Sequence, residues 1–347
     1  MTTDADVVVV GAGVMGAATA WSLSRRGREV LVLERFEVGN THGSSHGDSR
    51  VFRLFYDDPW YVRLGLEAVP LWRRIEEESG VRVLSLFGGL DLGARATANA
   101  KALEVCGVDF EVMDGAEVEH RFQGVAAPAG DPVVFQRDAG IVHAEAAVRA
   151  FLDAATSRGA EVRERTPVLE LTPGDAQVEL RTGGETIRAR TAVVTAGAFA
   201  RPLLATGGID LPVTPTRATV AYFQKPGMDE LWPPIMMEWV EPPFYALPSP
   251  MHGLKAAQHH AGPVTDPEEP GVVSEESVAK LSAWVAERFP AADPRPHLAE
   301  TCLYTDTVDE GFILERHGSI VVGSPCSGHG FKFASAIGER LADLVPA

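Results

Sequence analysis

The chain has 347 residues, enough for two domains of ordinary size, and 45% of them are hydrophobic, enough for a substantial core. A formal net charge of −17 excludes a general affinity for nucleic acid or an anionic membrane, so an anionic ligand needs cations gathered locally against that field. Of three cysteines, Cys106 and Cys326 read as reduced thiols of a cytoplasmic protein, and the set does not form a secreted disulfide framework.

The apolar stretch 7–21 is preceded by Asp4 and Asp6 and interrupted by glycines, unlike a signal segment, and no run reaches the roughly eighteen apolar residues of a membrane helix. Residues 6–34 read instead as strand, glycine turn, helix and second strand. A β-branched run over 7–10 leads into Gly11, Gly13 and Gly16 at G-x-G-x-x-G spacing, and Ala17, Ala18, Ala20 and Leu23 follow at helical intervals. Gly11 permits a tight turn, Gly13 a close approach of backbone to a pyrophosphate, and Gly16 close packing of helix on strand. The N–H groups at the helix start, Val14 and Met15, face that pyrophosphate. Glu34 ends the second strand, with Arg35 beside it, and is placed to accept from ribose hydroxyls. A glycine turn without ligand is the competing reading, weakened by the two strands, helix and terminal acid around it.

A polar loop follows, with Ser45, His46, Asp48, Arg50 and Arg53 close together; a solvated loop is the plain alternative. A helix is predicted over 60–80, kinked or split by Pro70. A strand is expected over 83–92, a small helix over 96–106, and an insertion over 107–141 that breaks the βαβ pattern. An amphipathic helix over 144–158 stops at Gly159. A strand over 162–169, a hairpin about Gly183 and Gly184, and a buried strand over 191–197 return to the first domain. A strand over 211–223 leaves it again. The prolines of 232–250 predict an irregular or edge path. Ser274 caps a further helix, and a strand, a glycine-rich loop and a helix from Ala334 close the chain.

Four segments then resemble one family. HGSSHGDSRVFRLFY (42–56), GLKAAQH (253–259), TCLYTDTVDEGFIL (301–314) and CSGHGFKFASAIGE (326–339) stand in the order found in the monomeric sarcosine oxidase and N-methyl amino acid oxidase family. The resemblance covers nearly the whole chain. It implies a two-domain flavoprotein that oxidises the C–N bond of small secondary amino acids, with oxygen as acceptor and FAD commonly attached covalently. Cys302 matches the cysteine that bonds the flavin; a thiolate suits that chemistry, and a buried structural cysteine is the alternative. Arg53 and Lys332 resemble the pair that holds the substrate carboxylate, a planar fork and a compact charge. His46 and Arg50 resemble residues packed by the flavin ring, where a cation favours the reduced anion. Lys255 resembles the family's lysine for oxygen activation, unless it faces solvent. Tyr245, His259 and Tyr304 resemble pocket residues. Val168, Ala196 and Gly197 match contacts to the adenine half, and Gly328, Gly330 and Phe331 lie in the flavin-side loop. Phe199 stands where the family often has tryptophan, and the 232–250 stretch departs from its pattern.

The expected fold is α/β, with a discontinuous Rossmann-like FAD-binding domain (1–83, 141–209 and 297–347) and an α+β substrate domain on a mixed sheet (84–140 and 210–296). The expected activity is oxidation of a secondary N-methyl or cyclic amino acid to an imine with release of hydrogen peroxide, by a cytoplasmic monomer without a metal. A flavin dehydrogenase with another acceptor and a non-catalytic flavin module are the alternatives.

Overall fold

The computed structural model describes residues 3–225, 227 and 232–347. The strand Ala5–Val10 lies at the centre of an eight-stranded sheet, parallel to Val30–Leu33 on one side and Thr186–Val194 on the other. Its valines are fully or almost fully buried, the pattern of a strand covered on both faces. The helix Val14–Arg25 crosses above it and packs against Ala144–Thr156 and Ala334–Leu344. Its crossing with the last helix is close: a Cβ on Gly338 would stand 2.6 Å from the Ala18 backbone.

A second eight-stranded sheet, largely antiparallel, runs in the order 298–306, 214–223, 253–258, 244–249, 235–239, 89–93, 133–136 and 111–113. A small third sheet joins Ser49–Phe52 and Leu84–Leu86 to Gly140–His143. This is the α/β fold with a mixed second sheet that the sequence predicts.

Several elements differ from expectation. The 83–92 strand is two, Leu84–Leu86 and Gly89–Gly93, sent to different sheets by a turn at Gly88 with φ +106°. The 162–169 strand is also two, Glu161–Arg163 and Val168–Pro173, on opposite edges of the first sheet. The hairpin strand and the buried 191–197 strand are one element, Thr186–Val194: its half-exposed start pairs with Val178–Thr182 and its buried end with Ala5–Val10 and Ile320–Ser324. The helix Pro59–Ser79 is continuous, because Pro70 lies on the exposed side, where the unpaired carbonyl before it reaches water. The proline-rich stretch 232–250 supplies two interior strands, Ile235–Trp239 and Phe244–Ser249. Pro233 and Pro234 precede the first, and Pro242 and Pro243 fall in the turn; Pro248 pairs with Leu254 on one side but stands past the last pair, Met236 with Ala246, of the ladder on the other. Leu298–Asp306 hydrogen-bonds along Thr214–Phe223 in the second sheet, while the strands after it return to the first.

Candidate active site

The glycine turn is built by contact. Gly11 has φ +98°, and a Cβ there would stand 2.8 Å from the Thr195 carbonyl oxygen. A Cβ on Gly16 would lie 1.9 Å from the Gly11 carbonyl oxygen, so only glycine lets the helix start so near the strand. Glu34 is buried and its two oxygens accept from the N–H groups of Ala12 at 2.7 Å and Phe36 at 2.9 Å. That fixes the carboxylate at the mouth of the turn and leaves further lone pairs for hydroxyls. Ser45 closes the other side, its Oγ accepting from the Val14 N–H at 3.1 Å.

From this turn a cleft of about 540 Å³ runs across the first sheet to the second. Gly11, Gly13, Val14, Met15, Glu34, Arg35, Ser45, Val168, Ala196 and Gly197 line one stretch; Arg50, Cys302, Gly328, Gly330 and Phe331 line the other. Arg35 is tied to Glu268 and lies over Phe36 and Phe199. Gly16 stands behind the wall.

A smaller cavity of about 70 Å³ adjoins the cleft and shares Arg50, Cys302, Tyr304, Gly328 and Phe331 with it. Arg53, Lys255, Lys332, Tyr245 and His259 line it too, so it gathers predicted residues from four distant segments. Arg53 is buried; one Nη donates to the Phe55 carbonyl, and its guanidinium lies 3.8 Å from the Tyr56 ring centre. Lys332 Nζ donates to Tyr56 Oη at 2.9 Å and to the His329 carbonyl at 2.6 Å. Burial and the neighbouring Arg53 hold the Lys332 ammonium well below the usual lysine range. Among the described residues neither Arg53 nor Lys332 pairs with a carboxylate. An arriving carboxylate would relieve both.

Lys255 donates to the Ser49 carbonyl at 3.3 Å, and burial, with Arg50 adding to it, pulls its ammonium down to about 8. Burial holds the His259 imidazole well below its usual range, so it is neutral, with Nδ1 3.4 Å from Tyr304 Oη. Burial pushes the Tyr304 and Tyr245 hydroxyls up, Tyr245 to about 12, so both keep their protons. Gly328, at φ +69°, admits these side chains: a Cβ there would meet the Tyr304 ring at 2.2 Å.

His46 lines neither cavity. It is buried behind Arg50, which donates to its carbonyl at 2.6 Å, and burial followed by the Arg50 charge pulls its imidazole to about 4. Of that pair, only Arg50 is cationic near neutral pH. Reading the sequence missed Tyr56, which links Arg53 and Lys332; His329, read there as structural or near the flavin, places its Nδ1 3.2 Å from Tyr56 Oη. Both stand inside the quoted segments, which was the available signal. Among the described residues no group of side chains is placed to hold a metal ion, and no helix is long and apolar enough to cross a membrane.

The family model described as FAD dependent oxidoreductase matches residues 6–344. The chain belongs to the FAD-dependent oxidoreductase family. Among its relatives, peroxisomal sarcosine oxidase of Homo sapiens is 32% identical over 98% of this chain and 91% of that protein. Monomeric sarcosine oxidase of Bacillus sp. (strain B-0618) is 32% identical over 99% and 93%. The open form of NikD, an unusual amino acid oxidase essential for nikkomycin biosynthesis, superposes with TM-score 0.89 at 28% identity, covering 99% of this chain and 94% of that one. The residues of this FAD-dependent oxidoreductase fit the cofactor. The glycine turn and the helix start at Met15 suit a pyrophosphate, Glu34 suits a ribose, and the cleft leads on to the cation-lined cavity.

Proposed function

We propose that this oxidoreductase oxidises the C–N bond of a small secondary amino acid, N-methylated or cyclic, to an imine, and that oxygen takes the electrons to become hydrogen peroxide. The observation that carries this reading is the pair of buried cations, Arg53 and Lys332, facing a small cavity beside the cleft without a carboxylate partner among the described residues. They supply the two forms of charge that dock an α-carboxylate. The carboxylate, once docked, fixes the amine against the flavin end of the cleft. The guanidinium charges of Arg50 and Arg53 disfavour a further cation in the cavity and so favour the uncharged amine over the ammonium, while neutral His259 can accept its N–H. Tyr245 and Tyr304 wall the site with rings whose hydroxyls stay protonated. FAD, when bound, supplies the two-electron oxidation. Lys255, still largely an ammonium at neutral pH, offers the positive charge that oxygen reduction needs.

Cys302 lies where cleft and cavity meet, which suits a thioether to the flavin ring. The name of the Bacillus relative suits a monomer, and the three free cysteines suit a reducing compartment such as the cytoplasm. The test is peroxide release across a panel of N-methyl and cyclic amino acids, with anaerobic bleaching of the flavin recorded in parallel. A yellow protein that no member of the panel bleaches overturns the reading. One that bleaches but releases no peroxide in air retains the substrate and loses oxygen as acceptor.

A further inference from the structure

Asp91 is fully buried on the strand Gly89–Gly93, and the reading above gives it no task. It is the register partner of Met237, which lines the small cavity, so both side chains project from the same face of the second sheet. Trp239 is two residues beyond Met237 and therefore projects from that face as well. Asp91 accepts the Trp239 indole N–H at 2.6 Å and the Asn99 amide at 2.7 Å. The Trp239 ring centre in turn lies 5.3 Å from the Arg53 guanidinium and 4.8 Å from that of Arg95. A buried carboxylate is thus joined by one hydrogen bond to an aromatic plate beside the cation that faces substrate.

We propose that Asp91 is a positioning residue for Arg53: it fixes the Trp239 plate beside the guanidinium, and its own charge competes with an incoming carboxylate for the field of Arg53. This rests on Arg53 being the carboxylate site. Burial pushes the Asp91 carboxyl up to about 7, against the pull of Asn99, Trp239 and the Arg53 charge. The charged groups that face it are Arg53 and Asp57 from the segment after Ser49–Phe52, while Arg95, at the start of the helix Ala96–Val105, lies over the Trp239 ring. Below about 7 Asp91 is neutral and the full charge of Arg53 meets the ligand. Above it Asp91 is an anion and offsets part of that charge. Carboxylate binding therefore weakens as pH rises through 7, and binding draws a proton onto Asp91.

The experiment titrates the holoenzyme with acetate, followed by flavin absorbance, from pH 6 to 8.5. The wild-type Kd rises about tenfold across this range, a coupling of ordinary size. Asp91→Asn keeps an acceptor for Trp239, and the Asn99 amide can turn to face it. In this variant the Asp91 share of the rise is lost, and the shallower rise that remains belongs to Lys255, which gives up its charge at about 8. Trp239→Phe removes one donor to the carboxylate, which raises its pKa, so the midpoint moves to higher pH. His259 is neutral and Lys255 titrates at about 8 in all three proteins, so the differences between profiles belong to Asp91. A profile in Asp91→Asn parallel to wild type overturns the inference, as does an unmoved midpoint in Trp239→Phe should Asp91→Asn not fold. Arg53→Lys separates the two readings. If acetate binds it as tightly as wild type, the carboxylate site itself is misplaced and this inference goes with it. If that variant loses acetate while Asp91→Asn keeps the wild-type slope, only the role of Asp91 is refuted.

Discussion

Replacing Lys255 by methionine removes a buried charge while keeping an unbranched stem of similar length. The wild-type group sits at about 8, lowered from the usual lysine value by burial and by Arg50. It is an ammonium below that pH and a neutral amine above it. From the titration curve, about nine-tenths of molecules carry the charge at pH 7 and about one-tenth at pH 9. If the ammonium speeds the reaction with oxygen, reoxidation of the wild type falls about tenfold between those pH values. Lys255→Met should be slower by about a hundred- to a thousandfold, the usual worth of one preorganised charge, and flat with pH. Lys255→Arg keeps the charge at pH 9 and should flatten the profile at a higher level. The assay reduces the enzyme anaerobically with substrate, mixes it with oxygenated buffer in a stopped-flow instrument, and follows the return of flavin colour. Anaerobic bleaching, measured separately, should change little. A Lys255→Met enzyme that reoxidises at the wild-type rate, or keeps the wild-type fall above pH 8, refutes the reasoning.

Arg53→Lys loses the planar fork, and KM for a carboxylate-bearing substrate should rise by about ten- to a hundredfold, the cost of a charged hydrogen bond; initial rates of peroxide release against substrate concentration measure it. In Cys302→Ser the flavin should stay in the supernatant after acid precipitation, whereas the wild-type pellet stays yellow; a colourless wild-type pellet removes the thioether. Gly16→Ala places a Cβ 1.9 Å from the Gly11 carbonyl oxygen and 2.7 Å from Thr195 Oγ1. It should destabilise the chain by about 3 kcal/mol or more, read by calorimetry, with partial recovery in excess FAD.

How far the sequence spoke depended on whether the cause was local. The turn after Ala5–Val10 and the Ser274 cap follow from residues adjacent in the chain, and the structure has both. The interior position of 235–249 was hidden because proline counts the same whether it stands in a strand or in the turn beside it. Only the register shows that four of these prolines fall outside the strands and that Pro248 is paired on one side alone. The split of 83–92 turned on one glycine conformation. In the site, the motif segments named Arg53, Lys255 and Lys332. They could not show that His46 sits behind Arg50, or that Tyr56 bridges two cations, because those facts are contacts between elements. Asp91 and Trp239 carried no signal at all: each is a single residue in an unremarkable strand, and their pairing exists only once the strands align.

The strand Leu298–Asp306 belongs by pairing to the second sheet, yet it brings Cys302 to the end of a cleft whose other end is the glycine turn of the first. A thioether at Cys302 would therefore anchor the prosthetic group in one half of the molecule while its diphosphate is gripped by the other. The cofactor would then act as a covalent staple across the seam. Loss of the first sheet's hold on the nucleotide would leave the dye attached, and unfolding would yield coloured chains in which the two halves come apart with the ring still on the second.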